Sequence, residues 1–178
     1  LDHVQQVGVS TLADGADAVL VRVREQLMKG ASQIKLMAGG GVSSLFDPID
    51  SIQYLEKELA AGVRAAADWG TYVCVHVYVP GGMRRAIRAG VRCIEHGQLT
   101  DEDTVRMMAG EGVWWSLQPF LADEDANPKP DPAQRAQQER IAAGTPQAYE
   151  WARKHGVRTA FGTDILLNPK GPATQGRQ

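Results

Sequence analysis

Apolar residues at Val19, Leu20, Val23 and Leu27 repeat with helical spacing, and the pattern predicts a helix over about Gly15 to Lys29. Asp14 suits its N-cap and Gly30 its end. A short apolar run, Gln33 to Ala38, follows and leads into three glycines, Gly39 to Gly41. The next helical stripe, Ile52, Leu55, Leu59, Val63 and Ala66, predicts a helix from about Ile49 to Trp69, closed by Gly70. Thr71 to Val77 is rich in β-branched and aromatic residues and predicts a strand. Pro80 fits the first turn of a helix with Met83, Ala86 and Ile87 inward, ended by Gly90. Val91 to Glu95 is a further strand. Thr100, with Asp103 three residues on, predicts a cap for a helix carrying Val105 and Met108 inward up to Gly112. Val113 to Leu117 is the next strand. Pro119 to Gly144 breaks the rhythm as a long loop, with some helix near Ala133 to Ala143. Thr145-Pro146 then opens a helix burying Ala148, Trp151 and Ala152, and Val157 to Phe161 is the last strand.

Helices and apolar strands thus alternate, with glycine at the turns, which predicts an α/β fold with a parallel sheet. Five strands are expected, near Lys35, Tyr72, Val91, Val113 and Arg158. Five suit a doubly wound sheet; a (β/α)8 barrel needs eight, so these would be part of one. No GxGxxG turn or GxxxxGK[ST] loop supports nucleotide binding.

Composition narrows the classes. Over 178 residues, 43% are apolar, as in a globular chain. Nineteen basic against 21 acidic side chains give a net charge of −2, which argues against a nucleic-acid binder. No apolar run reaches the roughly 20 residues of a membrane-spanning helix. Two cysteines make no disulfide framework, and the predicted strands put Cys74 and Cys93 on opposite faces. Leu1-Asp2-His3 is neither an initiator methionine nor a signal peptide, and both ends read as cut from something longer. A cytoplasmic location is therefore only the default.

Parallel α/β folds gather their chemistry at the carboxyl ends of strands. Lys35 lies inside an apolar strand, either on an exposed edge or as a desolvated amine able to form a Schiff base or a carbamate metal ligand. His76 and His96 end consecutive strands, which places two imidazoles at one rim; a shared metal site is the favoured reading over two core histidines. Asp164 ends the last strand, as a turn cap or as a carboxylate that ligates metal and accepts a proton from bound water. His3 and His155 read as structural. Asp123-Glu124-Asp125 reads as a solvated loop face.

The stretch from His76 through Tyr78, Pro80 and Gly81 to Glu95-His96-Gly97 resembles the metal-dependent amidohydrolase superfamily. It is most similar to the branch of imidazolonepropionase-related hydrolases and zinc-dependent Xaa-Pro and Xaa-Arg dipeptidases. Gln33 to Gly41 is similar to that branch's lysine strand, and Phe161 to Asp164 to its final aspartate motif. The resemblance implies strands four to eight of a (β/α)8 TIM barrel, with residues 1–178 an incomplete catalytic barrel that lacks the first strands and the closing helices. It implies one or two zinc ions held by Lys35, His76, His96 and Asp164. Lys35 would bridge the metals after capturing carbon dioxide as a carbamate, Asp164 would also be the general base, and Tyr78 would approach the substrate.

The family's His-x-His pair is absent from this chain. The expected function is metal-dependent hydrolysis of a C–N bond in a dipeptide or N-acyl amino acid, with a small-molecule partner and a homo-oligomer in the full-length form. Alternatives are a cyclic amide hydrolase of the imidazolonepropionase kind, a Schiff-base lyase, or a non-catalytic barrel segment. Taken alone, the chain is expected to be poorly stable and inactive. The Pro119–Gly144 segment should overhang the site.

Overall fold

The computed structural model describes residues 10–44, 46–119 and 128–164. Five helices and five strands alternate along them: α1 (Ala16–Met28), β1 (Ile34–Met37), α2 (Glu56–Ala67), β2 (Val73–Val77), α3 (Pro80–Arg88), β3 (Cys93–His96), α4 (Glu102–Glu111), β4 (Trp114–Leu117), α5 (Pro132–His155) and β5 (Thr159–Phe161). The strands form one parallel sheet in the order β1-β2-β3-β4-β5. A doubly wound sheet reverses its strand order at a switch point, and this one does not. Successive helices touch one another and bury their apolar stripes in one cluster against one side of the sheet. Sequential parallel strands with helices outside are the wall of a (β/α) barrel.

Alternation along each strand sorts the side chains. Val73, Val75, Val77, Ile94, Trp115 and Leu117 meet Leu59, Met83, Ala86, Val105, Met108 and Ala148 on the helix side. The other side carries Lys35 and Met37, in register with Cys74 and His76. It continues with Cys93, Glu95, Trp114 and Ser116. No helix among the described residues is long and apolar enough to cross a membrane.

Several local expectations change. α2 starts at Glu56, not near Ile49. The buried Glu58 carboxylate accepts from the Leu55 amide at 2.6 Å and from the Gly15 amide at 2.6 Å, which fixes the start of both α1 and α2. Gly15, not Asp14, is the N-cap of α1. Ile49 packs instead with Tyr78 and Ile141, and Ile52 bridges antiparallel to Gly39.

Asp101 rather than Thr100 caps α4, accepting from the Thr104 amide at 2.8 Å. Residues 132–155 form one helix in which Pro146 is internal, so no second helix begins at Thr145. Thr145 turns its hydroxyl back to the Ile141 carbonyl instead.

Cys74 and Cys93 are register partners and so face the same way, against expectation. Both are free thiols, as expected. His155 lies away from the rim, on Glu102 at 2.8 Å. His3 and the Asp123–Asp125 cluster lie outside the described residues.

Candidate metal centre

The carboxyl rim of β1 to β3 is arranged by backbone geometry as much as by alternation. His76 lies on the second face of β2 and is buried. Register pairs His96 with Val77, whose side chain faces the helices, so alternation alone would turn His96 away. The strand breaks there: His96 has φ 72°, in the left-handed region. The imidazole swings to the His76 side, where the ring centroids lie 4.5 Å apart at 74°. The predicted pairing of the two histidines is therefore observed, reached by a backbone turn rather than by equal strand position. Trp115 Nε1 donates to the His96 carbonyl at 2.6 Å and holds that turn. Tyr78, two residues past His76, stacks near both rings at 5.1 and 5.0 Å.

Each imidazole has one committed nitrogen. His96 Nδ1 lies 2.7 Å from Gln118 Oε1, an acceptor, so Nδ1 carries the proton and Nε2 keeps its lone pair. His76 Nε2 donates to the Gly40 carbonyl at 2.8 Å, which leaves Nδ1 open. That carbonyl reaches the ring because a glycine is at position 40; a Cβ there would lie 2.0 Å from the Pro48 carbonyl oxygen. Burial pushes the His76 pKa down, and the Gly40 bond only partly opposes it. His96 is pushed well down, by burial first and then by His76 and Lys35. Both rings are neutral near pH 7, the form that binds metal.

A cavity of about 370 Å³ opens over the pair. Lys35, Tyr78 and Asp164 line it, so the five residues expected at the site share one space. Lys35 is exposed on β1, the first strand of the sheet among the described residues. Asp164 follows β5 with φ 51°. Crowding around its carboxyl raises its pKa, while Lys35 and His76 act the other way. Among the described residues no three His, Cys, Asp or Glu side chains form a group able to hold an ion.

The expected overhang is present: Lys129, before α5, and Gln138 and Ile141, on it, line the cavity. Gly144 lets α5 approach so closely that a Cβ there would lie 2.2 Å from the Gln98 carbonyl oxygen. Gln118, Ser43 and Lys129 were not singled out in the sequence. Gln118 directly follows β4, so a search of strand ends for amides as well as ionisable groups finds it.

An amidohydrolase family model matches residues 3–173. Ochratoxinase from Aspergillus niger is 34% identical over 170 residues, covering 93% of this chain and 35% of the enzyme. A prolidase crystallised with N-methylphosphonate-L-proline superposes with a TM-score of 0.84 at 37% identity, covering 91% of this chain and 40% of that one. A Xaa-Pro dipeptidase with methionine in its active site gives 0.79 at 31% identity, covering 89% and 40%. This chain thus spans about two fifths of the length of those two solved relatives. Its five-stranded wall matches the corresponding part of their fold.

Proposed function

This chain belongs to the amidohydrolase family, and from that premise we propose that its rim hydrolyses the C–N bond of a dipeptide or N-acyl amino acid with a divalent metal ion, zinc, as cofactor. The convergence of His76 and His96, each with one nitrogen committed and the other open, carries this reading. The donor set suits the ion: His76 would offer Nδ1 and His96 Nε2. Gln118 and the Gly40 carbonyl fix their tautomers, as hydrogen-bonded partners of metal-binding histidines do. Lys35, carboxylated by carbon dioxide, would add the missing anionic oxygens, and Asp164 a further carboxylate. A bound divalent ion lowers the pKa of a coordinated water and polarises a carbonyl.

The chain's own groups supply the rest. Asp164 would take a proton from the bound water and pass it to the leaving nitrogen. Tyr78 presents its ring beside both imidazoles, where a substrate acyl group would lie. Gln138 and Ile141 of α5 form part of the cavity wall.

The test combines metal analysis with hydrolysis of N-acyl amino acids before and after chelation. Zinc bound stoichiometrically, activity lost on chelation, and a His96→Ala variant that loses metal but keeps its helix content are expected. Unchanged metal content in that variant, or hydrolysis indifferent to chelators, overturns the proposal. Intact-mass detection of a carbamate on Lys35 separates it from a cyclic amide hydrolase that lacks one.

A further inference from the structure

The tautomer of His76 depends on a carbonyl that its own residue does little to fix. Gly39, Gly40 and Gly41 follow β1, and glycine has the least restricted backbone of any residue. Yet the Gly40 carbonyl accepts from His76 Nε2 at 2.8 Å and so leaves Nδ1 open. Residues 47–53 supply the constraint. The Gln53 amide donates to the Ala38 carbonyl at 2.9 Å, and Ile52 bridges to Gly39. Pro48 lies so close over Gly40 that a Cβ there would meet its carbonyl oxygen at 2.0 Å and that of Asp47 at 2.7 Å. The Asp47 side chain closes this segment on itself: Oδ1 accepts from Ser51 Oγ at 3.4 Å and from Gln53 Nε2. Other bonds tie the same loop outward. Lys129 Nζ donates to Ser43 Oγ at 2.8 Å, and Arg140 Nη1 and Nη2 donate to the Asp50 carboxylate at 2.8 Å each. Asp47 lines the cavity, but its bonds run to its own loop.

We propose that Asp47 is a positioning residue for the metal rim: its carboxylate clips residues 47–53 against the glycines, aims the Gly40 carbonyl at His76 and so keeps Nδ1 free for a metal ion. The inference rests on the metal-hydrolase reading and deepens it. Asp47 acts as a hydrogen-bond acceptor in a fixed place, not as a charge that attracts the metal. No covalent step is involved.

Nuclear magnetic resonance of the metal-free protein with isotope-labelled histidine reads the ring tautomer, and calorimetric titration with zinc reads its consequence. In the parent, the His76 ring, identified by its loss from the spectrum of His76→Gln, should carry its proton on Nε2. Asp47→Ala should give a mixture of tautomers and about tenfold weaker zinc binding, the lower end of the range for groups that orient metal ligands. Gln53→Leu, which removes a donor and leaves the charge, should act in the same direction. Asp47→Asn keeps an acceptor and should restore both readouts. Asp47 and Gln53 are partly exposed loop residues, so these variants leave the helices and the sheet intact. An Asp47→Ala protein whose His76 keeps its proton on Nε2 overturns the proposal. So does an Asp47→Asn protein that binds zinc as weakly as Asp47→Ala with its tautomer unchanged. A parent that binds no zinc, but whose His76 tautomer shifts in Asp47→Ala, refutes the metal reading and supports the role of Asp47 on His76.

Discussion

On the helix-covered face of the sheet, Val73, Val75, Val77, Ile94, Trp115 and Leu117 are each 1% exposed or less; on the other face Met37 and Trp114 are 45% and 41% exposed. The same five strands make both faces. The covered face is interchangeable aliphatic packing, where volume decides fitness. The other carries thiols, carboxylates, imidazoles and amides whose placement relative to one another matters more than their volume. Stability therefore concentrates on one face and chemistry at the rim of the other, and Trp115 joins the two.

The sharpest challenge to this division is Trp115→Ala. It empties a fully buried site and removes the bond to the His96 carbonyl, so it should cost about 3–5 kcal/mol. The urea midpoint measures the loss, and a drop in metal affinity should accompany it. A loss of stability with metal affinity unchanged would show that the faces are independent.

Gln118→Leu should act on the rim alone. It leaves His96 Nδ1 without its acceptor, and metal affinity should fall about 10–100-fold, as for other hydrogen-bond partners of metal-binding histidines. Gln118→Glu keeps an acceptor and should restore most of it. Metal titration distinguishes the two variants.

Acid should separate the regions by pH. His76 and His96 have folded pKa values below the ordinary 6.5, so the unfolded chain takes up protons first. Their contribution to the metal-free protein is complete above 6.5 and is lost as pH falls below it. On the outer surface, Lys154 and His155 hold Glu102 down to about 2 from 4.5, so its contribution persists above 4.5 and fades between 4.5 and 2. Urea midpoints across this range should show two declines. His76→Gln should flatten the upper one and Glu102→Gln the lower.

The smallest effect belongs to the exposed pair Arg88–Glu56, at 2.8 Å. Arg88→Ala should cost about 0.2–1 kcal/mol and vanish at high salt. A larger loss in thermal unfolding would mean that the outer surface carries more of the fold than its exposure implies.

Sequence pattern was a good guide to the covered face. Apolar spacing located α1, α3 and all five strands, because burial imposes periods that residue type records. It failed where apolar residues serve another purpose. Ile49 and Ile52 look like the start of a helical stripe, but Ile49 packs with Tyr78 and Ile141 and Ile52 bridges to Gly39. Pro146 reads as a helix start, yet α5 runs through it, with Ile141 packed against Ile49 and Tyr78 before it and Ala148 and Ala152 in the main core after it. At the rim, His76, His96, Tyr78, Lys35 and Asp164 were found from strand ends and family likeness. Their mutual placement depended on one left-handed residue, and no periodicity encodes that. Gln118, Ser43 and Lys129 are ordinary polar residues in sequence and gain meaning only from what the fold brings beside them.

The bond from Trp115 to the His96 carbonyl also has an optical consequence. Of the four tryptophans, Trp69 and Trp114 are 53% and 41% exposed, Trp151 is half-buried, and Trp115 alone is sealed from solvent. Its indole is tied to the peptide unit that aims one imidazole into the cavity. Replacing the other three with phenylalanine leaves a single chromophore whose emission follows that peptide unit, so the protein carries its own unlabelled gauge of what occupies the rim.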